Sequence, residues 1–315
     1  MNGLIIRTSG STYRVLTDDG AHIEAAVKGN FRLRGIRSTN PVAVGDYVTV
    51  QQQPDGTNWI TDIRDRRNYI IRRSTNLSRQ SHILAANIDQ VALLVTLRRP
   101  QTNTTFIDRV LATCEAYRVP VMLMFNKTDL LDEDDIAELQ YLLALYRSLG
   151  YTAIPFSALF KQHLNALSTP FTTLLDLFRG KTTLLSGNSG VGKSTLLNAL
   201  VGEEVARTAE ISDVHNQGKH TTTFSQMYFL DNDDTRVIDT PGIRGFGTFD
   251  FKREEVGHYF RDIFAVSSEC RFRNCLHIDE PGCAVVEAVK NAKIAPTRYS
   301  GYLSLLNDED EKKYR

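Results

Sequence analysis

The octapeptide Gly187-Asn188-Ser189-Gly190-Val191-Gly192-Lys193-Ser194 narrows the folds open to this chain more than any other feature. It fits G-x-x-x-x-G-K-[ST] and lies between an apolar, β-branched run, KTTLLS, and a helical pattern, STLLNAL. A strand, a glycine-rich turn and a helix in that order form a phosphate cradle. Backbone N–H groups wrap the anion, the helix N-terminus adds positive potential, and the lysine reaches the β and γ phosphates. The chain is therefore expected to bind a nucleoside triphosphate through residues 187–195, with Ser194 on magnesium, Thr195 beside it, and Lys193 acting on the reacting phosphates.

Such a loop belongs in an α/β domain. Apolar strands are expected at Val91–Leu97, Val121–Phe125, Thr152–Phe156 and Thr182–Ser186, separated by helical patterns near Phe106–Tyr117, Glu133–Leu149 and Leu174–Phe178. Two later strand candidates are Thr223–Leu230 and Thr235–Ile238. The alternation implies a largely parallel sheet, whose carboxyl edge presents ligands.

Motifs fall at that edge. Asn126-Lys127-Thr128-Asp129 closes the strand VMLMF. A carboxylate at Asp129 can accept from guanine's N1–H and exocyclic amine, a donor pair that adenine lacks, while Asn126 can bond to the purine's acceptors. This argues against an adenine-specific kinase or ATPase. Ser157-Ala158 follows the strand TAIPF, where the Ala158 N–H could reach guanine O6. Asp239-Thr240-Pro241-Gly242 follows TRVI, with Asp239 placed to hold magnesium through water and Gly242 to offer its N–H to a γ-phosphate. Gly218-Lys219-His220-Thr221-Thr222-Thr223 supplies hydroxyls, among them Thr221 and Thr222, from which a switch loop could recruit one to magnesium.

The flanks differ in kind. Residues 1–68 show short β runs at Gly3–Arg7, Thr12–Leu16, His22–Val27 and Tyr47–Gln51 between turn formers, the pattern of a small barrel or sandwich. From Arg64 to Arg79 the pattern dissolves into a basic linker. Residues 1–80 hold twelve Lys and Arg against seven Asp and Glu, in a chain whose totals balance at 37 each, so any nucleic-acid footprint is local. With 42% hydrophobic and 23% charged residues the chain is neither disordered nor collagenous. Its apolar runs reach about seven residues, where a membrane span needs about 20. The opening MNGLIIRTSGSTYRV lacks the features of a secretory signal, and a cytosolic chain with reduced cysteines is expected. Beyond residue 249, helical pieces surround Cys270-x4-Cys275-x-His277-x5-Cys283, three thiolates and an imidazole of the closed tetrahedral type that binds structural zinc, one ion per chain. Cys114 lies in an apolar helix and is expected in the core.

The motifs NKTD, SA, GNSGVGKS, GKHTTT and DTPG resemble the five guanine-nucleotide motifs of the translation-factor class of GTPases, in an order that sets base recognition before phosphate binding. The domain is therefore circularly permuted, and its loops can still converge because the strands are only reconnected. With a barrel before it and a Cys3His set after it, the whole chain resembles the bacterial ribosome small-subunit-dependent GTPase A family. The resemblance implies an OB-fold at residues 1–68, a permuted P-loop GTPase at 69–248 and a helical zinc-binding domain at 249–315. It also implies GTP or GDP, magnesium and zinc as cofactors, binding to the RNA of the small ribosomal subunit in late maturation, and hydrolysis stimulated by that subunit. A cytoplasmic monomer with no membrane or DNA partner is expected. OB-folds read RNA with basic and aromatic side chains, for which Tyr13, Phe31, Tyr47 and Trp59 are candidates. An RNA-binding scaffold with a structural or slowly hydrolysed nucleotide is the alternative, as is a role in large-subunit assembly.

Two departures bear on chemistry. Ile243 stands where Ras-like enzymes carry the water-orienting glutamine, so intrinsic hydrolysis is expected to be slow and His220 becomes the candidate catalytic group. Gly190 stands where potassium-recruiting loops carry asparagine, and strict potassium dependence is not expected. Because DTPG runs directly through residues 243–247 into the zinc segment, a γ-phosphate that orders 239–247 is expected to reposition that segment, as in a clamp.

Overall fold

The computed structural model describes residues 1–27, 41–73, 81–159, 168–202, 225–230, 234–240 and 251–313. Phe31, His220, Thr221, Thr222, Gly242 and Ile243 lie outside the described residues.

Five short strands build the N-terminal domain: β1 (Asn2–Ser9), β2 (Thr12–Thr17), β3 (His22–Val27), β4 (Tyr47–Gln52) and β5 (Asn58–Ile63). β1 pairs antiparallel with both β2 and β4, β2 with β3 and β4 with β5, while β3 and β5 run parallel. The sheet thus closes on itself in the order β1-β2-β3-β5-β4-β1, the five-stranded barrel of an OB-fold. Side chains alternate in and out along each strand, so Ile5, Tyr13, Val15, Val48, Val50 and Ile60 fill the barrel. Tyr13 is 1% exposed and belongs to this core, so its ring cannot stack on RNA.

Within the stretch expected to be a basic linker, the described residues 69–73 form a strand. β6 (Tyr69–Arg73) pairs antiparallel with β7 (Ser81–Ala86), and Ala86 N donates to Val44 O of the barrel at 2.9 Å. The charge pattern concealed this strand because some of its neighbouring arginines are paired within the fold. The Arg66 guanidinium donates to both carboxylate oxygens of the fully buried Asp46, at 2.7 and 2.6 Å, and Arg67 pairs with Asp89 at 2.8 Å.

The central sheet has the order β10 (Thr152–Pro155), β9 (Val121–Phe125), β8 (Gln90–Val95), β11 (Thr182–Ser186), β13 (Thr235–Asp239), β12 (Gln226–Leu230). All its pairs are parallel except β12 with β13. β8, β9 and β11 are buried along their whole length, as expected of strands covered on both faces. The covering helices are α1 (Thr104–Ala116), α2 (Glu133–Ser148), α3 (Phe171–Phe178) and α4 (Lys193–Val201). β12 also pairs with the far end of β1, Arg7 opposite Gln226, so the central sheet runs on into the barrel.

After a 3-10 stretch at Arg253–Tyr259 come α5 (Arg261–Ser267), α6 (Ala284–Lys290) and α7 (Pro296–Lys313). Val256, Phe260, Ile263, Val285, Tyr302 and Leu305 form a small core that includes Ala112 of α1. Among the described residues no helix is long and apolar enough to cross a membrane.

Candidate functional site

Register brings the nucleotide motifs to one edge. Leu185 of β11 lies opposite Asp239 of β13, and Ser186 opposite Leu93 of β8. On the other side Val95 of β8 lies opposite Phe125 of β9, which lies opposite Pro155 of β10. Parallel strands therefore deliver the turn at Gly187, Asp239, Asn126 and Ser157 to the same carboxyl edge, at the amino end of α4.

Asn126 ties these loops together. Its Nδ2 donates to Val191 O of the phosphate loop at 2.7 Å, and its Oδ1 accepts from Ala158 N at 2.9 Å. The Ala158 N–H expected at guanine O6 is thus engaged by Asn126 in this structure. Gly192, with φ +98°, packs against the same amide: a Cβ there would lie 2.3 Å from Asn126 Nδ2. Only glycine fits both that backbone conformation and that approach.

Lys127 also bridges two loops. Its Nζ donates to Gly190 O at 2.7 Å and to Arg99 O. The turn Thr96–Asn103, which follows β8, therefore belongs to the site, although its residues carry no nucleotide motif. Its place after a parallel strand at the carboxyl edge is the signal that could have found it. Thr128 Oγ1 is 2.6 Å from Ser168 Oγ, fixing the turn that carries Asp129. Ser157 Oγ donates to Asp129 Oδ1 at 2.5 Å, which leaves Oδ2 and a further lone pair on Oδ1 for guanine's two donors.

In the phosphate loop Lys193 Nζ donates to Gly187 O at 2.7 Å and Asn188 O at 2.9 Å, which stations the ammonium across the loop's mouth. Ser189, Gly190, Ser194 and Thr195 are exposed along this rim. Burial lowers the Lys193 pKa against the pull of Asp239, and burial pushes the Asp239 carboxyl up to about 6 against the pull of Lys193. Asp239 Oδ1 is buried without a hydrogen-bond partner among the described residues. A carboxylate oxygen so placed beside a phosphate loop suits a hydrated divalent cation, and Ser194 offers the second oxygen.

The Cys3His set is assembled. The ligand atoms of Cys270, Cys275, His277 and Cys283 all lie within 4.8 Å of one another. His277 Nδ1 is 3.5 Å from the sulfurs of both Cys270 and Cys283, which are 4.0 Å apart. Tetrahedral zinc with Zn–S of about 2.3 Å and Zn–N of about 2.0 Å implies N···S of about 3.5 Å and S···S of about 3.8 Å, so the donor set fits the ion. Burial lowers the His277 pKa, which favours the neutral imidazole that ligates. Glu280 accepts from Leu276 N and Ile278 N, and Tyr302 and Tyr299 of α7 donate to Leu276 O and His277 O at 2.7 and 2.6 Å. The loop is thereby held from outside the ligand set.

A second cluster carries no sequence motif. Arg298 of α7 meets Asp108 of α1 and Asp262 of α5; Arg298 and Asp108 are buried, and the Asp262 side chain is 7% exposed. Asp108 on the apolar face of α1, beside Ile107, Val110 and Leu111, is the signal that could have found it.

Known proteins share this chain's sequence and fold. A family model described as RsgA GTPase matches residues 63–249, and one described as RsgA N-terminal domain matches residues 2–60. The small ribosomal subunit biogenesis GTPase RsgA of Phocaeicola vulgatus is 56% identical over 315 residues, covering 100% of this chain and 99% of the relative. Its namesake in Bacteroides fragilis is 55% identical with the same coverage. Among solved structures, YjeQ from Thermotoga maritima is similar with a TM-score of 0.73 and 30% identity, covering 98% of this chain and 97% of that one. YloQ, described as a circularly permuted GTPase, is similar with a TM-score of 0.68 and 28% identity, covering 100% and 96%.

Proposed function

The chain belongs to the RsgA GTPase family, and on that premise we propose that it binds the RNA of the small ribosomal subunit late in maturation and hydrolyses GTP when that subunit engages it. It is a GTP hydrolase of small-subunit biogenesis, with guanine nucleotide and magnesium as its cofactors. The observation that carries the reading is Asn126, whose amide joins the phosphate loop at Val191 to the base-recognition loop at Ala158.

In this reading Asp129 accepts guanine's two donors and Ser157 orients Asp129. Asn126 holds the loops in register and keeps one amide hydrogen for the purine, and Lys127 braces Gly190. The N–H groups of residues 187–194 and the amino end of α4 bind the phosphates, and Lys193 supplies a charge at the β and γ oxygens. Ser194 and Asp239 hold magnesium, with Thr221 or Thr222 as a further ligand and Gly242 on the γ-phosphate. Bound magnesium neutralises charge on the transferred phosphoryl group. His220 is proposed to orient the attacking water, because Ile243 cannot. Cys270, Cys275, His277 and Cys283 hold one structural zinc. The division of labour is 1–68 for RNA, 69–248 for GTP and 249–315 for the zinc-stabilised contact with the subunit. A cytoplasmic monomer is proposed.

Sedimentation with purified small and large subunits under GTP, GDP and a non-hydrolysable analogue tests this, together with multiple-turnover hydrolysis. Co-sedimentation with small subunits under the analogue, and faster turnover in their presence, are expected. Equal binding to large subunits would favour the large-subunit alternative, and unstimulated turnover would favour a scaffold. His220→Ala is expected to lower stimulated turnover by about 10²-fold at nearly constant GTP affinity. Parallel loss of subunit binding would make His220 an RNA contact instead.

A further inference from the structure

At the amino ends of the central strands, on the edge opposite the nucleotide loops, a cavity of about 410 Å³ opens between the barrel and the central sheet. Its walls include Tyr47 from β4, Arg64 and Asp65 from the segment after β5, Asp89 before β8, Thr182 opening β11, and Arg236 of β13. The volume lies within the range of small-ligand pockets, roughly 300–1,000 Å³. β11 spans the distance from this cavity to the phosphate loop, about 15 Å at ~3.3 Å per residue.

The cavity's polar groups are unequally engaged. Asp89 is taken twice, by Arg67 at 2.8 Å and by Thr182 N at 2.8 Å. Arg236 binds Asp234 at 3.1 Å and donates to Tyr47 Oη at 3.3 Å, so it holds the phenol at the cavity wall. Arg64 and Asp65 are exposed, and their side chains have no partner among the described residues. Tyr47 is 38% exposed, whereas Tyr13, the other described barrel tyrosine, is in the core.

An unpaired guanidinium, an unpaired carboxylate and an exposed aromatic ring around one nucleotide-sized space define a ligand. A bare anion site has no use for Asp65, and an apolar peptide has no use for either charge. An unstacked RNA nucleotide offers a phosphate to arginine, a π-face to tyrosine and amino or imino donors to a carboxylate. We propose that this cavity receives one unpaired nucleotide of the small-subunit RNA, with its base on Tyr47, its base-edge donors on Asp65 and its phosphate on Arg64. The inference rests on the small-subunit reading above and adds to it a specific seat for the RNA.

The test is equilibrium binding of the full-length chain to purified small subunits, with a non-hydrolysable GTP analogue, at several salt concentrations, beside thermal unfolding. Tyr47→Ala should weaken binding by about tenfold or more, since base–aromatic stacking is worth ~1–3 kcal/mol. Tyr47→Phe, which keeps the ring and loses the bond to Arg236, should bind within about twofold of the wild type. Arg64→Gln should weaken binding a few-fold and reduce the slope of log K against log salt by about one. Wild-type binding by Tyr47→Ala, or equal weakening by Tyr47→Phe, would overturn the proposal while leaving the small-subunit reading intact. If Tyr47→Ala unfolds at lower temperature, the exposed Arg64 decides: an unchanged salt slope overturns the proposal. Failure of the wild type to bind small subunits would remove both readings together.

Discussion

Arg298, 1% exposed, places Nη1 2.6 Å from Oδ1 of Asp108, joining the last helix of the C-terminal Cys3His segment to the helix that follows β8 in the nucleotide domain. Asp262 takes Nε and Nη2 of the same guanidinium at 3.1 and 3.0 Å, Tyr146 donates to Asp108 at 3.1 Å, and the Phe260 ring lies 4.8 Å away. Outside the core, Arg261 pairs with Glu115 of α1 at 2.7 Å. A C-terminal segment swinging away from α1 would have to separate these charges. A clamp driven through residues 239–247 must therefore carry α1 with it.

Removing one partner of a buried ion pair leaves the other uncompensated and typically costs ~3–5 kcal/mol. Arg298→Met should accordingly loosen the C-terminal segment, read as faster proteolysis within residues 251–313 and an earlier denaturant midpoint. A protection pattern like that of the wild type would contradict the role given to Arg298.

Gly301 gives an inverted expectation. Replacing a helical glycine with alanine ordinarily stabilises by about 1 kcal/mol. Here a Cβ would stand 2.5 Å from Asp108 Oδ2 and 2.8 Å from its Cβ, so Gly301→Ala should destabilise by ~1–3 kcal/mol through overpacking. Chemical denaturation of the variant decides the sign.

Burial pushes the Asp108 carboxyl up to about 6, against the pull of Arg298. An unfolded aspartate titrates near 3.9, so between about pH 4 and 6 the folded chain holds a proton that the unfolded chain has released. This group's contribution to stability rises as pH falls through that window and declines as pH rises to 6. Unfolding measured from pH 4 to 7 should therefore show a more negative slope in the wild type than in Asp108→Asn. Coincident slopes would assign the titration elsewhere.

What the sequence discloses here follows from how local each signal is. The phosphate loop, NKTD and the Cys3His spacing are contiguous strings whose chemistry requires those residues, and the parallel strands are continuous apolar runs. The barrel is legible as short strands, but its closure depends on pairing β1 with β4 and β3 with β5, which no local pattern encodes. β6 is hidden because arginines that look solvated, such as Arg66, are neutralised by Asp46 twenty residues earlier. Arg298 and Asp108 are 190 residues apart, and Lys127 meets the Arg99 carbonyl through the backbone, where side-chain identity carries no signal.

Asp129→Asn should invert base preference. A carboxylate there can accept from guanine's N1–H and amine, whereas an amide presents a donor that suits xanthine's O2. Ser157 Oγ, now donating at 2.5 Å to Oδ1, can still orient the replacement. Competition binding should show GTP affinity falling by at least tenfold while that for xanthosine triphosphate rises. Retained guanine selectivity would remove Asp129 from the base site.

Replacement of any one of Cys270, Cys275, His277 or Cys283 should release about one zinc per chain, because each supplies one corner of a set whose spacing already matches the ion. Structural zinc contributes folding free energy directly, so the loop between residues 270 and 283 should become accessible to protease. The damage should not stop there. Tyr299 and Tyr302 donate to carbonyls inside that loop, and Tyr302 shares a core with Phe260 and Ala112, so loosening the loop weakens the packing of α7 against α1. GTP affinity should change little, since Asn126, Asp129 and Lys193 draw their partners from the nucleotide loops and none of them from residues 270–283. Subunit-stimulated turnover should fall further than GTP affinity does. Elemental analysis of the purified wild type is the decisive measurement: a metal-free chain whose C-terminal segment nonetheless resists protease would show that the four side chains are packed together for another reason.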